Sequence, residues 1–168
     1  MNALGRDGVY VNETLPRQAL GRGTYTNETA TAVATFRISV VSDTAIGNWT
    51  DWDGGTTALY SRVNETLADE RNGSYVQSGV GPSGDILKLA FEAVPDPGIH
   101  SDHVLRYRFY APDDEVVVRL VEDTTTIAEW THTAGTVVEY TTFERTLSTA
   151  EAESITDYSD LHFEIEAG

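Results

Sequence analysis

Carboxylic acids dominate the residues of this sequence that could do chemistry. The 168 residues include 27 aspartates and glutamates against 11 lysines and arginines, for a formal net charge of −16. Two carboxyl groups at a fixed separation form the catalytic pair of most glycoside hydrolases. The acids available for such a pair are Asp51, Asp53, Asp69, Glu70, Asp113 and Asp114. Because 27 acids bring some pairs together by chance, we predict a solvated acidic surface and no enzyme activity.

Motifs for nucleophilic catalysis and phosphate binding are missing from the sequence. It contains no cysteine, which excludes thiol catalysis and cysteine-ligated metals, and no G-x-S-x-G nucleophile elbow. The glycine-rich stretch at 79–84 contains Pro82 and lacks the strand-to-helix setting of a phosphate loop. We therefore predict no cofactor.

Two short stretches carry residue types that bind metals. The D-W-D-G-G stretch at 51–55 begins like a calcium loop, but the late glutamate of an EF-hand is missing. We predict a plain Asp-Gly turn and keep Asp51 and Asp53 only as a weak candidate for a loop ion. His100 and His103 have a spacing that converges on a helix, whereas a turn followed by a strand separates the rings. No metal site is predicted there.

Five N-x-S/T sequons occur in the first half of the chain, at Asn12, Asn27, Asn48, Asn64 and Asn72. Each is an acceptor pattern for an N-linked glycan. Asn48 is the poorest candidate because Trp49 is expected to pack in the core. This leaves Asn12, Asn27, Asn64 and Asn72, with unmodified sequons as the alternative because threonine-rich chains create them by chance.

Aromatic side chains could form a sugar-binding platform like those of jelly-roll lectins. The rings considered are Trp49, Trp52, Tyr60, Tyr75 and Trp130. Aromatic residues lie more often in cores and interfaces than in such platforms. Trp52 and Tyr60 are the candidate glycan-binding residues.

The elements that must position these side chains are mostly strands. Apolar and polar residues alternate, or β-branched residues cluster, in the ranges 34–40, 87–93, 104–110, 115–122, 126–131, 136–147 and 161–166. Residues 58–60 are a further possible strand. The S-T-A-E stretch at 148–151 has capping-box spacing and predicts one or two helical turns. These patterns predict an all-β protein with a single antiparallel β-sandwich.

The charge excludes some partners and indicates an environment. A net charge of −16 argues against nucleic acid, and no run of 18 apolar residues could span a membrane. Ten of the 11 basic residues are arginines, and Lys88 is the only lysine. At about 1 M salt the Debye length is about 3 Å, so crowded carboxylates barely repel one another. We predict adaptation to high salt; the alternative is an ordinary acidic protein.

A set of short motifs lies between about Asn48 and Ala167. They are N-W-T at 48–50, L-Y at 59–60, N-E at 64–65, Leu89 with F-E at 91–92, P-G at 97–98, H-V-L-R-Y-R at 103–108 and T-L-S-T-A-E-A-E-S-I-T-D-Y-S-D-L at 146–161. This span resembles the jelly-roll β-sandwich domain of structural proteins of tailed viruses. With the acidic composition, the chain resembles a protein of a tailed virus of haloarchaea.

The resemblance implies a fold and a role. It implies a jelly-roll domain, which we expect over residues 32–168, and residues 1–31 are expected to form an N-terminal arm. It implies a non-enzymatic virion protein, assembled in the host cytoplasm, that decorates or cements the capsid or forms a vertex turret. The expected partners are further copies of the chain and the major capsid protein or other virion proteins. Two alternatives stay open: a tail or spike module that binds host surface glycans, and a neck or tail connector.

The polar, glycine-rich arm lies outside the resemblance. We expect it to lie across a neighbouring subunit or the capsid shell, where it could add a strand to a partner sheet. The candidate contact residues are Val9, Tyr10, Val11 and Leu15. The alternative is that the arm packs on its own domain.

Overall fold

The computed structural model describes residues 40–63, 75–93 and 95–168, and its elements are almost all antiparallel strands. The strands are β1 Val40–Ala45, β2 Thr50–Asp51, β3 Val76–Gln77, β4 Asp85–Phe91, β5 Val104–Ala111, β6 Val116–Glu122, β7 Thr125–His132, β8 Val137–Thr146 and β9 Leu161–Ala167. Helix α1 spans Thr149–Ser154, and two 3-10 turns span Leu59–Arg62 and Tyr158–Asp160. The predicted all-β class is confirmed, whereas the predicted boundary between residues 31 and 32 lies outside the described residues.

The strands form two layers. One layer is a five-stranded sheet in the order β1-β4-β9-β6-β7, and β5 pairs with β8 in a separate two-stranded ladder. The short strands β2 and β3 form a further pair. Tyr107 of β5 packs on the five-stranded sheet, with its ring centroid 5.8 Å from that of Phe163 in β9 and 6.3 Å from that of Trp130 in β7. This arrangement is sandwich-like, and its jelly-roll type stays a prediction.

Alternation along the strands builds the core between the layers. On β4, Leu87 and Leu89 are almost fully buried, and their cross-strand partners on β9 are Ile165 and Phe163. Val118 of β6 also lies opposite Ile165 and is buried. Because side chains at every second position share a face, these residues line the side of the sheet that receives the ladder.

A bulge shapes the second part of the core. Leu120 pairs with Ala128 and Val121 pairs with Thr126, so Ile127 is an extra residue on β7. A bulge lets two successive side chains turn towards one face, and both Ile127 and Ala128 are buried. They belong to a cluster with residues before, within and after α1, namely Leu147, Ala152, Ile155, Tyr158 and Leu161.

The predicted capping box starts α1. The Ser148 side chain accepts a hydrogen bond from the Glu151 amide at 3.3 Å, and Glu151 Oε2 accepts one from the Ser148 amide at 2.7 Å. These reciprocal bonds satisfy amides that the first helical turn leaves unpaired. The prediction of a short helix here is confirmed.

The segment after α1 is attached to the β6–β7 hairpin by Glu122. Its carboxylate accepts hydrogen bonds from the amides of Thr156 at 2.9 Å and Asp157 at 2.7 Å, and from the Thr156 hydroxyl. Burial opposes ionisation, but these hydrogen bonds prevail and lower the pKa of Glu122. One side chain therefore joins the closing segment to the five-stranded sheet.

One predicted strand is wrong. Residues 58–60 were expected as a possible strand, but Leu59–Arg62 forms a 3-10 turn. Asp43 of β1 accepts hydrogen bonds from the amides of Leu59 at 2.7 Å and Tyr60 at 2.6 Å, and Ala58 has a φ of +54°. The distant carboxylate caps the first turn and overrides the strand propensity of the apolar run.

Replacing Glu122 with alanine should lower the free energy of unfolding by about 1–2 kcal/mol, the usual effect of losing charge-assisted capping bonds. Urea unfolding measures the change. Glu153→Ala, at an exposed position of α1, is the matched control and should have little effect. Equal losses in the two variants would contradict the role of Glu122.

Candidate functional site

Several predicted site residues lie outside the described residues. They are the arm contacts Val9, Tyr10, Val11 and Leu15, the sequons Asn12, Asn27, Asn64 and Asn72, and the acids Asp69 and Glu70. The contacts and modification sites at these residues remain predictions from the sequence.

Asp51, the weak candidate for a loop ion, holds its own turn. The side chain is buried, and its Oδ1 accepts hydrogen bonds from the amides of Gly55 at 2.5 Å and Asp53 at 3.3 Å. Arg62 forms an ion pair with Oδ2 at 3.1 Å. A hydrogen bond with the Asp53 side chain, then those from Gly55 and Arg62, lower the pKa of Asp51 against the effect of burial. The carboxylate therefore organises residues 51–55 through amides and a guanidinium.

Glycine is required beside this carboxylate. A Cβ at position 55 would lie 2.9 Å from Asp51 Oδ2, a distance that side-chain carbons do not tolerate. Among the described residues, no group of three or more histidines, aspartates or glutamates is placed to hold a metal ion.

One histidine of the H-x-x-H stretch is engaged in hydrogen bonds within the fold. His103 Nε2 lies 2.7 Å from the Tyr158 hydroxyl, and its Nδ1 lies 3.1 Å from the Ser101 carbonyl oxygen. His100 is exposed. His103 therefore connects the start of β5 to the closing segment.

The five aromatic rings do not form one surface platform. Trp49 is buried and its Nε1 donates a hydrogen bond to the Asp85 carbonyl at 3.1 Å, as its expected packing requires. Trp130 and Tyr60 pack against the core. Trp52 is 50% exposed in the turn after β2. Glycan binding at Trp52 and Tyr60 stays a prediction.

Sequence reasoning missed a polar pair inside the aromatic core. The Tyr107 hydroxyl lies 2.9 Å from His132 Nε2, and Arg145 Nε donates to the same hydroxyl at 3.4 Å. The rings of Phe143 and Phe109 lie 4.3 and 4.9 Å from the His132 ring, centroid to centroid. The hydrogen bond is satisfied when Tyr107 donates its proton to Nε2 of a neutral His132, while the hydroxyl oxygen accepts from Arg145.

The environment of this pair disfavours charge on either ring. Burial, followed by the nearby Arg145, lowers the pKa of His132 below its ordinary value, and burial raises the pKa of Tyr107. The neutral pair joins β5 of the ladder to β7 of the five-stranded sheet. The strand alternation that places Ala128 and Trp130 on the inner face of β7 also places His132 there. This alternation is the feature of the sequence from which a buried His132 could have been predicted.

The opposite side of the ladder is an exposed surface of unusual composition, which we call the ladder face. It comprises Val104, Arg106, Arg108 and Tyr110 from β5 and Val138, Glu139, Tyr140, Thr142 and Glu144 from β8. Arg106 Nη1 donates to Glu144 Oε1 at 2.8 Å, and Arg108 Nη1 donates to Thr142 Oγ1 at 2.9 Å. The side chains are therefore ordered by cross-strand contacts.

Two tyrosines lie at one end of the ladder face. The rings of Tyr110 and Tyr140 are 5.7 Å apart, and the Arg108 guanidinium lies 5.8 Å from the centre of the Tyr140 ring. With Glu139, these residues line an open groove of about 460 Å³. Val104, Tyr110 and Val138 are 56%, 49% and 65% exposed. Tyrosine and arginine are enriched in protein interfaces, so this composition is typical of a contact surface.

The outer face of the five-stranded sheet also carries charges that pair with one another. Lys88 Nζ contacts Glu164 Oε1, and His162 Nε2 lies 3.2 Å from the same atom. Arg119 binds Glu129 and Glu166, each at 2.6 Å. Burial opposes ionisation of Glu164, but hydrogen bonds from Lys88 and His162 lower its pKa. This network stabilises the sheet through its own side chains.

The chain was compared with protein-family models, curated proteins and solved structures, and none of them matches. Within the part of the chain that the structure describes, no helix has the length and apolar character to cross a membrane.

The free energy of unfolding should decrease as the pH falls below about 6.5, the ordinary pKa of histidine, because the unfolded chain then binds a proton that folded His132 resists. The contribution of His132 to the free energy of unfolding is fully present above about pH 7. Below that pH this contribution decreases by at most about 1.4 kcal/mol per pH unit. Urea unfolding between pH 7.5 and 5.5 measures it. His132→Gln should flatten the profile, and exposed His100→Gln should leave it unchanged. Identical profiles for both variants would contradict this account.

Proposed function

We propose that the protein is a non-enzymatic structural protein of a virion, adapted to high salt, that decorates or cements the capsid or forms a vertex projection. The observation that carries the proposal is the ladder face, an exposed strip of tyrosine, arginine and valine on a rigid two-layer scaffold. The motifs between residues 48 and 167 supply the link to virions.

The composition of the surface supports a passive role. A contact face of ordered aromatic and arginine side chains binds a partner without chemistry, since burial of apolar area and fixed hydrogen bonds provide the affinity. The remaining acidic surface keeps particles soluble and apart. In concentrated salt the repulsion among carboxylates is screened, while burial of apolar surface still drives contact.

The proposal includes the jelly-roll type of sandwich. Its support is the closing segment, in which a short helix at Thr149–Ser154 leads through the I-T-D-Y-S-D-L stretch into the last strand, Leu161–Ala167. This is the order of elements that the resemblance implies. The antiparallel pairing of the strands is also consistent with it.

A second candidate function is a tail or spike module that binds host surface glycans. The half-exposed Trp52 favours it, and so does the groove between Arg108, Tyr110 and Tyr140. Aromatic faces stack on sugar rings, and arginine donates to sugar hydroxyls or carboxylates. A neck or tail connector is the third possibility, and copy number separates it from a capsid decoration.

Quantitative mass spectrometry of purified particles should find the protein in a number that matches capsid symmetry, at hundreds of copies for a decoration. A small multiple of three, five, six or twelve would indicate a vertex, neck or tail position instead. Absence from particles would contradict the proposal. Glycan binding by the purified chain that Trp52→Ala abolishes would then favour the second candidate.

A further inference from the structure

We propose that the ladder face binds the ladder face of a second copy of this chain, with a two-fold axis that runs parallel to the strands, between β5 and β8. The inference names the self-association surface of the structural protein and so rests on the proposed function. It is tested on the purified chain, without particles, so that its failure is separate from failure of the virion role.

The strand register makes the ladder face self-complementary. Arg106 pairs across the ladder with Glu144, and Arg108 pairs with Thr142. Within one chain, each β5 residue has a cross-strand partner on β8. The proposed axis places that β5 residue over the same β8 partner in the second copy. Arg106 then meets Glu144 of the second copy, and the tyrosine pair at one end meets its counterpart. Stacked sheets cross at about −30°, so the match is closest near the middle of the ladder.

The charge of the ladder face also favours a second copy as the partner. Its described charged side chains are two arginines, Arg106 and Arg108, and two glutamates, Glu139 and Glu144, whose formal charges cancel. The chain as a whole has a net charge of −16. Wherever salt does not fully screen their charges, two identical chains repel over most of their surface, and the ladder face is a place where they can approach closely.

The exposed ion pair is placed to join such a dimer. The Arg106 and Glu144 side chains are 35% and 62% exposed in their pair, so their outer atoms remain accessible. Two copies would bring together two arginines and two glutamates with alternating sign. Each side chain is already ordered by its own partner, so the network adds attraction at a smaller entropic cost than an isolated surface pair.

Exposed apolar groups surround this ion pair. Val104 lies at one end of the ladder face, and Val138 and Tyr110 lie at the other, all about half exposed or more. Closing the two faces would remove these groups from water, the main driving force of association. Tyrosine contributes a large contact area at a low entropic cost.

The size of the ladder face sets the expected affinity. Strand β5 has eight residues, which corresponds to about 26 Å at about 3.3 Å per residue. Two strands of this length, each about 4.8 Å wide, cover about 250 Å², or roughly a third of the ~800 Å² that each partner buries in a standard interface. The isolated dimer is therefore weak, with a dissociation constant in the micromolar range or above. High local concentration on a particle would populate it.

Complementary charge variants test the pairing directly. Arg106→Glu and Glu144→Arg are made as separate proteins, and circular dichroism establishes the lowest salt concentration at which each one is folded. Sedimentation velocity at that salt concentration should show that the wild-type chain forms dimers. Each variant alone should associate at least about tenfold more weakly, since like charges then face each other across the axis.

Mixing the two variants is the decisive step. An equimolar mixture should dimerise again, because the introduced carboxylates of one chain meet the introduced guanidinium groups of the other. The pair within each chain remains broken in the mixture, so a purely intramolecular role cannot restore association. Glu153→Arg, the same change of charge as Glu144→Arg but at an exposed position on α1, is the control and should dimerise like the wild type.

The remaining outcomes overturn the proposal. A wild-type chain that stays monomeric at the highest soluble concentration excludes this dimer, and so does association that neither variant weakens. A mixture that stays monomeric excludes the proposed two-fold register. If either charge variant loses its native circular dichroism, Tyr110→Ala serves in its place. It must weaken association while leaving the spectrum unchanged, and a dimer unaffected by it also overturns the proposal.

Discussion

The packing of Tyr107 against the five-stranded sheet is the interaction on which the rest of the structure depends. A two-stranded ladder is only marginally stable in water, so β5 and β8 need a second layer to hold them. Tyr107 supplies this contact through Phe163 and Trp130, and its hydroxyl group bonds to His132. The Tyr107 ring thus holds the ladder against the five-stranded sheet, and His132 of that sheet provides a hydrogen-bond partner for the Tyr107 hydroxyl.

Side chains alternate between the two faces of β5 and β8, so the position of Tyr107 in the core also determines which residues lie on the outer face of the ladder. Each residue between two inward rings points outward, so fixing Tyr107 and Phe143 inside also fixes Arg106, Arg108 and Glu144 outside. The outer side chains are then ordered by cross-strand bonds on a backbone that the core holds in place. On the five-stranded sheet the same alternation places Lys88 and Arg119 on the outer face, where glutamates bind both of them, as Glu144 binds Arg106 on the ladder.

The sequence predicted those features that local pattern determines. Alternation, together with runs of β-branched residues, located β4 to β9 to within a few residues, and the S-T-A-E spacing located α1. Features that depend on residues distant in the sequence were not predictable. The Asp43 carboxylate stabilises the 3-10 turn that begins at Leu59, and a bulge in β7 directs the Ile127 side chain into the core. The ladder face was missed for the same reason. Its residues appear as the ordinary polar side of two strands until the β5–β8 pairing brings them together.

The central claim is that the ladder is held by its inner face and makes contact through its outer face. Methyl NMR of the purified chain during serial dilution tests it most directly. The account predicts that the Val104 and Val138 signals shift together with concentration, while Val80, which is fully exposed in the loop between β3 and β4, stays constant. Signals of Val104 and Val138 that do not change at any concentration, or a shift confined to Val80, would contradict it.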